Sequence, residues 1–357
     1  MLTRRQNLLE TIHGGHPDRL VNQYEYMQQV FDPVLLNALG NCPRGGTAVN
    51  GWGVTIEFPD YVPGPFPDTS PEKVVIKDIE HWRDYVKAPA VDFPEEAWAP
   101  FVQQAESIDR NEYFVANFIA PGIFEKLHYL MGMEECMMAF YENPDEMHEL
   151  IDFLTDWEIQ CAEQVIRHLH PDALFHHDDW GSQKSTFMSP AMFEEFILPA
   201  YKKIYGYYKD HGVQLIVHHS DSFAATLVPY MIEMGVDIWQ GVMSTNNVPE
   251  LIRKYGGKIS FQGGIDNGKV DRVDWTKEGI EQEVRGVVEA CGNMYFIPST
   301  TMGGPESTYP GVYEAVSETI DKISEEKFGY TGKSGNKADP LFAHVDKASK
   351  EISNQDS

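Results

Sequence analysis

From Glu112 onward, short apolar runs alternate with longer stretches whose apolar residues recur every three or four positions. The runs at 113–119, 173–179, 213–219, 237–242, 258–263 and 294–299 read as strands. Helical stretches at about 124–141, 145–168, 190–211, 223–234, 249–255, 277–290 and 310–327 separate or follow them. Asn143-Pro144 breaks the text where a helix can restart, because proline suits the first helical turn. Strands separated by helices throughout require a parallel sheet.

The first hundred residues follow a different pattern. Residues 3–13 form an amphipathic helix with Leu8, Leu9 and Ile12 on one side, ended by Gly14-Gly15. Leu20 to Tyr26 is a first strand. From Phe31 to Pro100 the chain is rich in Pro, Gly and Trp and reads as loops, with Trp52 to Phe58 as one strand candidate. So long an irregular stretch inside a compact protein usually has a function. Seven strands, with 52–58 as the eighth, give an α/β fold class and a (β/α)8 TIM barrel. The expected organisation is a single barrel domain over residues 1–330, a loop-rich insertion at 27–111 and a polar tail at 331–357. No Gly-x-Gly-x-x-Gly follows an early strand, so a dinucleotide-binding fold has no support.

Composition narrows the partners. A hydrophobic content of 42% supports a packed core and excludes disorder over most of the chain. A net charge of -27 repels nucleic acid and anionic membrane and favours basic protein surfaces. None of the four cysteines forms a Cys-x-x-Cys pair, which argues against a structural zinc site of that type and fits a reducing compartment. No segment has signal-peptide character, and no window approaches the roughly 20 apolar residues that cross a bilayer. A cytoplasmic protein is expected.

In an α/β barrel the active site lies at the carboxyl ends of the strands. The residues assigned there are Glu25, Tyr26, Asn117, His176 to Asp179, His218 to Asp221, Gln240, Gln262 to Asp266, and Ser299 to Thr301. Of these, Glu25, Tyr26, Asn117, Asp178, His218, Gln240, Gln262 and Asp266 are the expected substrate contacts. His219 and Asp221 are two apart, so on an extended chain both point to one side and suit Zn²⁺ or another divalent ion. The same spacing relates His177 to Asp179 and His176 to Asp178. These groups serve equally well as loop caps and substrate-orienting side chains without a metal. Gly263-Gly264 allows close backbone approach to a ligand, or a tight turn. No Gly-x-Ser-x-Gly elbow surrounds Ser182, Ser220 or Ser222, which disfavours a serine hydrolase.

The segments RRQNLLETIHGGHPDRL, HHDDWGSQKSTFMSPAMFEEFILPAYKKI, VHHSDS, GVDIWQGV, YGGKISFQGGIDNG and GGPESTYPGVYEAVSETI occur in this order. Together they resemble the uroporphyrinogen decarboxylase superfamily, and particularly its cobamide-dependent methyltransferase branch. Asp178-Asp179-Trp180-Gly181 and Gly263-Gly264-Ile265-Asp266 are the most specific matches. The resemblance implies an α/β barrel. The sequence departs from the family in two places. Where true decarboxylases keep arginines for a polyanionic porphyrin, this chain reads YEYMQQVFDP, which argues against porphyrinogen decarboxylation. Where thiol-activating methyltransferases bind zinc through cysteines, it has His218-His219-Ser220-Asp221 and Pro298-Ser299-Thr300.

The branch that remains contains the substrate-side methyltransferases of anaerobic O-demethylase systems. That resemblance implies methyl transfer from an aryl methyl ether to Co(I) of a separate corrinoid protein, with zinc as a further expected cofactor. A homodimer is left open. A Glu-x14-Glu-x20-His zinc pattern is associated with such enzymes, and Glu134, Glu149 and His170 stand at that spacing as a rival metal set. Phenolate leaves poorly, so a Lewis or general acid at the ether oxygen is needed. His177, Asp179, His219 and Asp221 are the catalytic candidates. Tyr24, Tyr26, Trp52, Phe58 and Tyr61 offer aromatic surface for a flat ring. The alternatives are a divergent decarboxylase or lyase of the same fold, and a methyltransferase with a non-aromatic donor.

Overall fold

The computed structural model describes residues 1–60, 62 and 64–332. In chain order the strands are β1 Met27–Val30, β2 Gly46–Val49, β3 Thr55–Phe58, β4 Phe66–Pro67, β5 Phe114–Ile119, β6 Ala173–His177, β7 Leu215–His219, β8 Ile238–Val242, β9 Ser260–Gly264 and β10 Phe296–Ser299. Seven of them form one sheet in sequence order, β1-β5-β6-β7-β8-β9-β10, with every neighbouring pair parallel. Helices follow β5 to β10, so the sheet curls into an α/β barrel with helices outside. Strands β5 and β7 to β10 are buried at every position, as expected for strands covered on both faces. No helix among the described residues is long and apolar enough to cross a membrane.

The barrel is completed differently from the expected eight strands. Residues 52–58 do not enter it. Thr55–Phe58 pairs antiparallel with β2 and β4 in a separate three-stranded sheet. The Asn50 side chain accepts from the N–H groups of Trp52 and Val54 and folds this stretch into a local hairpin. Short-range pairing needs little loop closure and pre-empts the distant barrel edge. The strand expected at Leu20 to Tyr26 begins instead at Met27, because Gln23 takes a left-handed backbone (φ 52) that breaks an extended path. The segment still spans the seam between β10 and β1. Gln23 accepts from Gln262 Nε2 through its carbonyl at 3.2 Å and from Thr300 N through its side chain at 3.4 Å, and its amide donates to Ser317 Oγ at 2.7 Å.

The region 27–111 is more ordered than a loop-rich insertion. Its first four residues are β1, and helices occupy Pro33–Leu39 and Glu95–Ser107. Trp52 packs edge-on against Trp157 of the long helix Pro144–Leu169, and Phe58 lies under the Arg44 guanidinium. Neither ring belongs to the barrel interior. Tyr61 and residues 333–357 of the expected tail lie outside the described residues.

Strand pleating sorts the histidines. On β6 and β7, Phe175, His177 and His219 turn inward, where Phe175 stacks on Phe118 and the two imidazoles stack on each other. His176 and His218 turn outward to Tyr201 and Tyr205 of the helix Leu198–Asp210.

Candidate active site

Four inward or mouth-facing groups meet at the carboxyl ends of β6 and β7. The His177 and His219 rings are 4.3 Å apart at 19°. His177 Nδ1 lies 2.8 Å from Glu125 Oε2, and His219 Nδ1 pairs with Gln240 Oε1. Gln240 is held in turn by donating to the Thr301 carbonyl at 3.2 Å. With both Nδ1 atoms occupied, the Nε2 edges are the free ones. His219 Nε2 is 4.0 Å from Asp179 Oδ1, and one ligand atom from each of His177, Asp179 and His219 lies within 4.8 Å of the others. Asp221 donates its backbone N–H to Asp179 Oδ1 at 2.9 Å and fixes that carboxylate.

The electrostatics of this cluster are those of a site short of positive charge. Burial lowers His177, but Glu125, Asp179 and Asp221 more than offset it and hold its imidazolium up to about 10. Burial and then Asp179 push the Asp221 carboxyl up to about 8. Burial, with His177 beside it, lowers His219 to about 4. Either a proton on His177 or a bound cation relieves this excess of acid.

The donor set fits a divalent ion of the zinc type. Two imidazoles and a carboxylate converge, and each imidazole is oriented through its other nitrogen by a carboxylate or amide oxygen, the usual outer-shell arrangement. The converging set differs from the expected pair. His219 joins His177 and Asp179, while Asp221 stands beside them.

Residues 52–323 match the family model described as Uroporphyrinogen decarboxylase (URO-D). The chain belongs to the uroporphyrinogen decarboxylase family. "Uroporphyrinogen decarboxylase 2, chloroplastic" of Oryza sativa subsp. japonica is 28% identical over 213 residues, covering 57% of this chain and 52% of that protein. "Uroporphyrinogen decarboxylase, chloroplastic" of Zea mays is 26% identical over 218 residues, with the same coverage of 57% and 52%. The chain thus spans about half the length of the curated relatives it matches. A methyltransferase from Methanosarcina mazei has the same fold, with a TM-score of 0.63 over 90% of this chain and 99% of that one, at 16% identity.

Several residues assigned to the mouth of this barrel lie elsewhere. Glu25 precedes β1 rather than ending a strand. It sits at the amino-terminal end, within 3.8 Å of Arg4 and Arg19. Tyr26 is inside the barrel, donating to Gln262 Oε1 at 2.7 Å, so these two serve each other. Asn117 faces the helix layer, between Asp32 and Tyr208. His218 does the same, with Nδ1 2.7 Å from the Tyr205 hydroxyl and its ring stacked on Trp180 at 3.9 Å. His176 lies 3.4 Å from Glu158, whose other oxygen holds the buried Lys126. Asp266 caps the short helix Asn267–Val270 by accepting from Gly268 N.

The rival metal set does not assemble. Glu134, Glu149 and His170 are all exposed. Glu149 and His170 stand near opposite ends of one helix, about 30 Å apart at 1.5 Å per residue.

Asp178 has a structural part. It accepts from the N–H groups of Phe124 and Glu125 at the start of the helix Ile123–Met131, from Trp180 Nε1, and from the Tyr201 hydroxyl at 2.5 Å. Burial raises it to about 6 despite these donors. Gly122 makes the approach possible, because an added Cβ would lie 2.6 Å from Asp178 Cγ. Gly263 answers to its neighbour strand rather than a ligand. Its φ is 143 and a Cβ would lie 2.6 Å from the Val242 carbonyl.

Glu125 is the residue that strand-end reasoning missed. It lies on the helix after β5, beside His128 and Tyr129 at the i+3 and i+4 positions. The spacing E-x-x-H-Y after Pro121-Gly122 was the available signal. Tyr129 donates to Glu125 at 3.5 Å, and burial lowers His128 to about 4.

Proposed function

We propose that this chain is the substrate-side methyltransferase of a corrinoid-dependent O-demethylation, moving a methyl group from an aryl methyl ether to Co(I) of a separate corrinoid protein. The observation that carries the reading is the convergence of His177, Asp179 and His219 at the barrel mouth, each imidazole oriented from behind by Glu125 or Gln240. The O–CH3 bond breaks, and the oxygen left behind needs positive charge and then a proton. His177, Asp179 and His219 would hold a divalent ion, which when bound supplies Lewis acidity to that oxygen. Glu125 keeps the Nδ1 proton of His177 and so directs its free nitrogen to the site. Asp221, beside Asp179, is the carboxyl group in place to return a proton to the phenolate. The aromatic wall of Phe31, Phe118 and Phe175 leads to His219, with centroids 5.5, 5.7 and 6.1 Å apart, and suits a flat substrate.

Decarboxylation is the second reading, favoured by the family and by its plant relatives. Against it, the cluster at the mouth brings together Glu125, Asp179 and Asp221, which would repel a substrate with several carboxylates. One assay separates the two. Co(I) cobalamin is mixed with enzyme and a panel of methoxyarenes, with and without chelator, and methyl-Co(III) is followed by its spectrum. Methyl transfer that chelator abolishes supports the proposal. Carbon dioxide release from carboxylated aromatics without cobalamin, and no methyl transfer from any donor, selects the alternative.

A further inference from the structure

Tyr24 is 6% exposed; the backbone N–H of Gly303 acts on its hydroxyl oxygen, but the O–H donates to no protein group among the described residues. Four other buried tyrosines are satisfied. Tyr26 donates to Gln262, Tyr201 to Asp178 and Tyr208 to Asn117, and Tyr205 pairs with His218. A buried O–H without an acceptor is unfavourable, so such a group calls for a reason. Its position offers one. The Tyr24 ring lies 6.4 Å from Phe175, the aromatic neighbour of His219, and Asp221 is among the charged groups that act on its hydroxyl.

We propose that Tyr24 is a specificity-determining residue whose phenol donates a hydrogen bond to an uncharged oxygen substituent on the ring of the methyl donor. This rests on the aryl-ether reading and deepens it. The aromatic neighbours place a flat ring against Phe175, and the hydroxyl supplies a donor with no acceptor of its own. Burial beside Asp221 disfavours a carboxylate as the partner and leaves a hydroxyl or second ether oxygen. The orphan donor is tolerated in the free protein because the ligand satisfies it.

The test compares binding of 2-methoxyphenol, methoxybenzene and 4-methoxybenzoate to wild type and Tyr24→Phe by titration calorimetry, alongside thermal unfolding of both proteins. Wild type should bind 2-methoxyphenol roughly tenfold more tightly than methoxybenzene, with 4-methoxybenzoate the weakest. Tyr24→Phe should bind 2-methoxyphenol and methoxybenzene alike. The variant should unfold at nearly the same temperature, because the O–H has no acceptor to lose. A purely structural role predicts a lower unfolding temperature, and that result overturns the proposal. So does a preference that survives in Tyr24→Phe, or wild type that binds methoxyarenes without preference, although the aryl-ether reading then stands. If wild type binds no methoxyarene, the aryl-ether reading itself fails and this inference with it.

Discussion

The imidazole rings of His177 and His219 lie nearly parallel, 4.3 Å apart, on neighbouring strands whose register pairs the two residues directly. Glu125 holds one ring by Nδ1 and Gln240 holds the other, and the remaining nitrogen of His219 lies 4.0 Å from Asp179.

From this geometry the protein should bind one Zn²⁺ at the barrel mouth. His219→Ala should lower its affinity by more than the roughly 10–100-fold typical of outer-shell changes. The double variant Glu149→Ala, His170→Ala should leave it unchanged, since both residues are exposed on the outer helix. Metal titration of the three proteins decides between the two sets, and loss of binding in the double variant would reinstate the rival pattern.

Glu125→Gln keeps the side-chain volume but removes the carboxylate that orients His177. Metal affinity or methyl transfer should fall roughly 10–100-fold, with little change in the far-UV spectrum. Unchanged affinity and rate together would remove Glu125 from the site.

Asp178→Ala should destabilise the fold by about 3 kcal/mol or more, because it strands the N–H groups of Phe124 and Glu125, Trp180 Nε1 and the Tyr201 hydroxyl in a buried setting. Gly122→Ala presses a methyl group onto the same carboxylate and should cost about 1–3 kcal/mol. Denaturant unfolding measures both. An unchanged midpoint for either would mean that the helix start is free to move.

Glu25 gives a pH dependence. Burial, outweighing Arg19 and Arg4, raises it from 4.5 to about 7 in the folded chain. The folded state therefore holds this proton more tightly than the unfolded one. Its contribution is full below about pH 4.5 and is lost as pH rises through 7, to an extent of about 3 kcal/mol at 1.36 kcal/mol per unit. Glu25→Gln should flatten that part of the stability curve between pH 5 and 7.5. Equal slopes for variant and wild type would show that Glu25 keeps its ordinary value when folded.

Much of the barrel was legible because strands buried on both faces carry largely apolar runs, as at Phe114–Ile119 and in Leu215, Ile216 and Val217. The helix starts were legible for local reasons too, such as Pro144. The helix at residues 3–13 was legible as well, but the stretch from Leu20 to Pro100 was not, because local pairing around Asn50 and the left-handed turn at Gln23 leave no hydrophobic period to read.

The His/Asp pairs at the ends of β6 and β7 were written in the sequence itself, and with them the strand alternation that sends His177 and His219 to one face and His176 and His218 to the other. Which face is the mouth depends on what packs behind it. Tyr201, Tyr205 and Trp180 claim His176, Asp178 and His218, and only the assembled barrel brings Glu125 to His177 and Gln240 to His219. A metal-like constellation is a matter of distances across strands and helices far apart in the chain, and side-chain spacing along one strand cannot encode them.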